Sequence, residues 1–285
     1  MSLPPRLQHY VNDLGLVISG QPDMEFVTSL QAKHIEKYSF NSLAVVMGED
    51  ISLDLDDISE KIVGRGLGGY CFEHNKLTFE LLKSAGYDVT LTMARVLNNQ
   101  DNDVPRTHRV TLLTLDGVVY LIDTGFGGHG PIAPLALQPD LSQKAGEDVY
   151  RIVDTGQGEY DLQIIQDGDY FTLYRFDSAV YTDADCTIGN FYSHQYPKAS
   201  FVNNLIVSLK SAQRTVALKN HIFTVKRRDD VQDKVLTSAV ELHQVLTDVF
   251  EFDIALVAAE HLFERFLAKK IETLKQDAKS EKATS

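Results

Sequence analysis

The spacing of hydrophobic positions changes twice along this chain. Through about residue 86 it follows helical periodicity. A short helix is predicted over Pro5–Asn12, and Asp23 is placed to cap a second that runs through His34. A third begins at Asp54 or Asp57, with Ile58, Ile62 and Val63 facing inward. A glycine-rich stretch, Gly64-Arg65-Gly66-Leu67-Gly68-Gly69, interrupts that helix. After it, Leu77, Leu81 and Ala85 fall at i, i+4 and i+8, with Leu82 widening the stripe and Gly86 as C-cap.

From Asp88 the period becomes two: Val89, Leu91, Met93 and Arg95 alternate with polar positions, as in a half-buried strand. Asn98–Pro105 reads as a polar loop. Arg106–Leu115 and Val118–Asp123 flank Asp116-Gly117, and Asp161–Gln166 and Asp169–Phe176 flank Asp167-Gly168, two strong hairpin signals. Ser200–Leu209 and Arg214–Arg227 supply further strands, so the middle of the chain reads as an antiparallel barrel or curved sheet. Helical periodicity returns near Val231, with Leu242, Leu246, Val249 and Phe250 on one face and Leu256–Leu274 as a longer helix. Gln276–Ser285 is mostly polar and reads as a frayed end.

Composition narrows the partners. The chain has 285 residues, 44% of them hydrophobic, which suits one large or two to three small domains with a real core. A formal net charge of −13 argues against nucleic acid or an anionic membrane as the main partner, while leaving room for a local anion site. No apolar run reaches transmembrane length, no basic-then-apolar leader opens the chain, and two cysteines make no disulfide framework. A cytoplasmic, reduced protein is the simplest expectation. The histidines lack metal-ligand spacing, and no phosphate-loop string occurs, so no metal is expected.

The candidate chemistry starts at Cys71, where the glycine loop turns into a helix. Unpaired N–H groups and the helix dipole favour a thiolate there. The stretch alone suits a nucleophile and a small buried hydrophobe equally. The first Asp-Gly hairpin adds a geometric expectation. With Leu115 opposite Val118, counting back sets Val110 opposite Asp123 and puts His108 on the same face, diagonal to Asp123. Diagonal neighbours are roughly 7–8 Å apart, within reach of an imidazole–carboxylate pair unless a bulge shifts the register. Such a pair fixes the ring's tautomer and raises the basicity of its other nitrogen, which could activate Cys71. Asp123 leads into Thr124-Gly125-Phe126-Gly127-Gly128-His129-Gly130, a stretch that suits either a tight connection or an anion-binding nest.

These residues carry a resemblance. Gly68–Asn75, Thr107–Val110 and Ile122–Gly127 resemble the three signature blocks of arylamine N-acetyltransferases, in order and spacing. Leu173–Phe176 and Phe201–Leu205 resemble later family segments, so the similarity spans nearly the whole chain. It implies an α+β multidomain fold with a cysteine-protease-like core. Residues 1–86 would be a helical bundle carrying the nucleophile, 87–198 a β-barrel carrying His and Asp, and 199–285 an α/β lid. It implies ping-pong acetyl transfer from acetyl-CoA to arylamines and arylhydrazines, or to the oxygen of arylhydroxylamines. Cys71 would be nucleophile, His108 base and Asp123 orienter. Gly125, Phe126, Gly127, Gly128 and His129 would lie beside acetyl-CoA, with Tyr38, Phe40 and Phe126 around the acceptor. Cys186 is left a structural residue, and His74 a surface or packing one.

Two departures stand out. Leu67 replaces the family's usual arginine, with Arg65 nearby, and Tyr38-Ser39-Phe40-Asn41-Ser42 replaces Ile-Pro-Phe-Glu-Asn. Since the missing glutamate is a natural partner for the missing arginine, the two changes can compensate. Competing readings of the same triad are a papain- or transglutaminase-like hydrolase and an amide synthase of natural-product biosynthesis.

Overall fold

The computed structural model describes residues 3–276 apart from 19, 101, 229 and 275. Beyond Gln276, the tail expected to fray lies outside the described residues.

Helices α1 (Pro5–Asp13), α2 (Met24–Lys37), α4 (Leu55–Ser59) and α5 (Cys71–Ser84) form the first layer, with the short α3 (Leu43–Val46) beside them. Asp23 caps α2 by accepting from the Phe26 N–H at 2.7 Å, and Asp54 caps α4. A π-helical turn, Glu60–Gly64, then leads out of α4 towards the glycine loop. Leu7, Tyr10, Val27, Leu30, Ile58, Ile62, Leu77 and Leu81 pack together as the core of this layer.

Eight strands follow: β2 (Asp88–Val96), β3 (His108–Leu115), β4 (Val118–Ile122), β5 (Leu135–Ala136), β6 (Gln143–Ala145), β7 (Asp148–Asp154), β8 (Glu159–Gln166) and β9 (Asp169–Asp177). They form one antiparallel sheet in the order β5-β4-β3-β2-β9-β8-β7-β6. The two outer strands meet through one side chain, because the Gln143 amide accepts from the Ala136 N–H at 2.7 Å and donates to its carbonyl at 2.8 Å. The sheet is therefore a nearly closed barrel. Val110, Leu112, Leu121, Ile152, Leu162, Ile164 and Phe176 fill its interior. The other face of β3 and β4 sends Leu113 and Ile122 into the helical core, so one wall serves two cores.

The third region holds β10 (Ile206–Lys210), β11 (Thr215–Lys219), β12 (Ile222–Arg227) and β13 (Asp230–Val235), with α8 (Ala239–Gln244) and α9 (Leu256–Phe266) packed on it. The strand β1 (Phe40–Asn41), from the helical layer, pairs with β10 as this sheet's edge. The acceptor-side candidate Phe40 is thus built into both layers.

Three expectations need correction. Helix does not return near Val231: Asp230–Val235 is the strand β13, paired with β12, and the next helix starts at Ala239. Ser200–Leu209 is not one strand: Ser200–Asn203 is a helical turn, α7, whose Asn203 amide donates to Pro197 and Ala199 carbonyls at 2.8 Å, and the strand starts only at Ile206. The sequence reading also missed helix α6 (Asp183–Gln195). Its inward side is Cys186, Gly189, Asn190 and Ser193, while Ile188 and Phe191 are exposed, so no apolar stripe marks it.

Candidate active site

Cys71 is the first residue of α5 and is buried. The Glu73 carboxylate accepts from the Tyr70 N–H at 3.1 Å and from Lys61 Nζ at 2.7 Å, which pins the entry to the helix. Before it, Gly68 sits at φ +61, and a Cβ there would lie 2.1 Å from the Ser39 carbonyl oxygen. Only glycine lets the loop pass so close to the Ser39–Asn41 segment.

A side chain of that segment reaches the loop at position 67. Asn41 Nδ2 donates to the Leu67 carbonyl at 2.9 Å, while its Oδ1 accepts from the Leu43 N–H at 3.0 Å. A neutral side chain thus holds the main chain at position 67. Arg65 is exposed.

The first Asp-Gly hairpin has the expected register. Leu115 pairs with Val118 and Thr111 with Ile122 without a shift, and Asp116 and Gly117 adopt φ of 52 and 76 as a type I′ turn requires. His108, Val110, Leu112, Leu121 and Asp123 therefore share the barrel's inner face. His108 Nε2 lies 2.8 Å from Asp123 Oδ2, and both side chains are buried. This leaves Nδ1 as the ring nitrogen open to a thiol. The Cys71 sulfur lies against the residues on either side of His108: it donates to the Thr107 carbonyl at 3.4 Å and faces the Arg109 N–H.

Burial raises the Asp123 carboxyl, but the His108 ring, the Asn75 amide and the Gly125 N–H together hold it below its ordinary value. Asn75 Nδ2 donates to Asp123 Oδ1 at 2.9 Å, and the Gly125 N–H donates to the same oxygen at 2.9 Å. The Tyr174 hydroxyl donates to Oδ2 at 2.9 Å. The carboxylate is ionised and fully engaged. Cys71 behaves differently from the helix-dipole expectation. Burial and the Asp123 charge push its thiol up, against the weaker downward pull of the Phe72 and Arg109 N–H groups. A thiolate is stable here only when an imidazolium stands beside it.

The remaining candidates divide. Gly125 packs directly on Cys71, since a Cβ there would lie 2.9 Å from its Cα. The Phe126 ring is 5.1 Å from His108 and 5.0 Å from Tyr174, and Gly127 backs onto Phe40. Tyr38, Phe40, Phe126, Gly127, Ser208 and Lys210 line one narrow crevice that reaches Asp123. Gly127–His129 is a single 3-10 turn, with Thr215 of β11 close to Gly128. His129 is exposed, and crowding by protein atoms together with Lys210 and Lys226 holds its ring below the ordinary value. Tyr38 lines the crevice, but its hydroxyl is engaged by Asp13.

Sequence reasoning missed several supports. Asn75 follows Cys71 by one helical turn, so its position was legible though its task was not. Gln31, fully buried on α2, donates to both the Asp123 and Pro131 carbonyls, at 3.2 and 2.7 Å, and ties the two ends of the loop. Lys210 Nζ donates to the Gly130 carbonyl at 2.7 Å and pairs with Asp148 at 2.7 Å. His74, expected at the surface or in simple packing, is completely buried in a polar contact with His34.

A cysteine at a helix start, set against a histidine–aspartate pair on a barrel wall, defines the core shared by papain-like thiol enzymes and their acyl-transferring counterparts. The N-acetyltransferase family profile matches residues 23–259, and the chain belongs to the arylamine N-acetyltransferase family. It is 28% identical over 264 residues to the arylamine N-acetyltransferase of Escherichia coli (strain K12), covering 92% of this chain and 93% of that one. A Salmonella typhimurium relative, named arylamine N-acetyltransferase / N-hydroxyarylamine O-acetyltransferase, is 32% identical over 66% of this chain and 67% of its own length. The structure of the Mycobacterium marinum arylamine N-acetyltransferase in complex with CoA superposes with a TM-score of 0.85 at 26% identity, covering 91% of this chain and 99% of that one.

Proposed function

We propose that this protein transfers the acetyl group of acetyl-CoA to the nitrogen of arylamines and arylhydrazines, and to the oxygen of arylhydroxylamines, through an acetyl-Cys71 intermediate. The observation that carries the reading is the buried His108–Asp123 pair at 2.8 Å, with the Cys71 sulfur lodged between the backbones flanking that histidine. His108 takes the Cys71 proton, and the sulfur attacks the thioester carbonyl. The tetrahedral oxyanion collapses, and CoA leaves with the proton returned by His108. An acceptor nitrogen then attacks the acetyl-cysteine, His108 removes its proton, and the Cys71 thiol is restored. Asp123 holds the ring's tautomer throughout and stabilises its positive charge.

The glycine loop Gly125–His129 would lie along acetyl-CoA, and Tyr38, Phe40 and Phe126 would enclose the acceptor ring. Support for this is the shared crevice and the close seating of Gly125 on Cys71. The division into 1–86, 87–198 and 199–285 goes with the reading, since the barrel's strands fall in the second unit and β10–β13 in the third. The cytoplasm, with its acetyl-CoA and reduced thiols, suits two free cysteines. Among the described residues, no helix is long and apolar enough to cross a membrane.

The test is stopped-flow detection of free CoA thiol. The expected result is a burst of about one equivalent per enzyme, with continued turnover only when an arylamine is present. Steady hydrolysis of an amide without any CoA thioester would overturn the reading.

A further inference from the structure

The glycine loop ends in a buried polar node that takes no part in the reaction. The Lys210 ammonium, at the end of β10, has three donors, and all three are engaged. They reach the Gly130 carbonyl at 2.7 Å, Asp148 Oδ2 at 2.7 Å and the Tyr150 hydroxyl at 3.0 Å. The Tyr150 hydroxyl lies 3.0 Å from both the His129 and Gly130 carbonyls and shares its one proton between them. The Gly130 oxygen therefore accepts from two side chains. Asp148 Oδ1 also accepts from Lys226 at 2.9 Å. Lys210 is 4% exposed and Tyr150 is 0% exposed. Burial raises the Asp148 carboxyl, but the two lysines hold it below its ordinary value, so the pair is ionised.

The node joins all three parts of the fold at one point of the loop. Asp148 and Tyr150 belong to β7 of the barrel, and Lys210 and Lys226 to β10 and β12 of the third region. From the helical layer, Gln31 of α2 holds the next carbonyl, that of Pro131, at 2.7 Å. What is held there is the base of Phe126, one wall of the crevice. The Gly130 N–H donates to the Gly127 carbonyl at 3.0 Å and closes the turn that follows Phe126. A Cβ at Gly130 would lie 3.1 Å from Phe126 Cβ, so the two residues pack directly on each other. The Phe126 ring in turn stands 5.1 Å from the His108 ring. A glycine-rich backbone has wide conformational freedom, so a tie at its end restricts where Phe126 can stand.

We propose that Lys210 is a positioning residue through which the third region fixes the Phe126 wall and so sets the affinity for the acceptor. It acts through the Gly130 carbonyl and touches no reacting atom. The proposal rests on the acetyltransferase reading for what the crevice binds.

Lys210→Met keeps an apolar stem in the same space, leaves Asp148 paired with Lys226, and removes the tie to Gly130. The expected result is a rise of about fivefold or more in arylamine KM, with the rate and amplitude of the CoA burst within about twofold of native. Tyr150→Phe removes the second donor to the same carbonyl and should raise arylamine KM by about threefold. A normal KM in Lys210→Met, or a burst slowed as much as the acceptor step, overturns the proposal. If Lys210→Met does not fold, Tyr150→Phe decides, and a normal KM there overturns it. Amide hydrogen exchange gives a readout independent of catalysis. Lys210→Met should speed exchange at the Gly130 N–H by about tenfold while β3 and β4 keep their native rates. Unchanged exchange at Gly130, or equal acceleration along β3 and β4, overturns the tie whether or not acetyl transfer is found. Absence of a CoA burst from the native protein, by contrast, sinks the acetyltransferase reading alone.

Discussion

The barrel contains two hairpins with the same Asp-Gly turn, and they place their inward-facing polar residues by opposite means. In β3–β4 the ladder is regular from Leu115–Val118 to Thr111–Ile122. Counting from the turn therefore puts His108 and Asp123 on one face. In β8–β9 the ladder starts the same way, with Asp167 and Gly168 at φ of 51 and 86, but shifts between Leu162 and Gln163. A regular ladder would pair Leu162 with Leu173 and turn Tyr174 outward beside Asp161. Because Leu173 is the extra residue, Tyr174 pairs with Leu162 and faces inward, where its hydroxyl reaches Asp123. One hairpin supplies the pair by regularity; the other supplies its support by a defect.

Substitution at the regular hairpin should have the largest effect. Asp123→Asn keeps the shape but frees the His108 tautomer, and the acylation rate should fall by about three to four orders of magnitude. Single-turnover CoA release measures it; a loss under tenfold would place the pair outside the chemistry. The next effect belongs to the helical core behind β3–β4, which the second hairpin does not touch. Burial keeps both rings neutral, helped at His34 by the neighbouring His74 and at His74 by the Lys61 charge, with His74 lowered to about 4. Unfolded rings titrate near 6.5, so as pH falls the unfolded chain gains protons first. Stability should decline below about pH 6.5, and His74's share, about 3 kcal/mol, should be fully lost below about pH 4. Urea midpoints against pH test this, and in His74→Gln the decline over that window should shrink.

The bulged hairpin should give a smaller effect on rate. Tyr174→Phe removes one of the bonds to the carboxylate, so acylation should slow by about tenfold with the fold intact. A loss as large as that of Asp123→Asn would mean the phenol does more than hold Asp123. The smallest expected effect is shared by both hairpins. Gly117 and Gly168 sit at φ of 76 and 86 with open space around them. Alanine at either should therefore cost about 1 kcal/mol of stability, read by thermal melting. An unequal cost would show that one turn is held by more than its own conformation.

This contrast also explains what the sequence could reveal. The His108–Asp123 pair was legible because turn chemistry and period two suffice when no residue is inserted. Tyr174 was not, because a bulge leaves no local mark in Leu173-Tyr174-Arg175. Helix α6 was hidden for a different reason. Its inward Gly189 has no room for a Cβ, which would lie 2.7 Å from the Phe72 ring, and Asn190 faces the Tyr70 hydroxyl. Its apolar Ile188 and Phe191 point outward, so the pattern inverts. The Asn41 brace at Leu67 was legible only as a paired departure, since a bond to a main-chain carbonyl has no partner residue type to find.

In the proposed reaction Cys71, activated by His108 and Asp123, carries the acetyl group. Intact-mass measurement after mixing the protein with acetyl-CoA alone tests it most directly. The expected result is a gain of one acetyl group on the native chain and none on Cys71→Ser. An unmodified native chain in rapidly quenched samples, or an equal gain on Cys71→Ser, would contradict it.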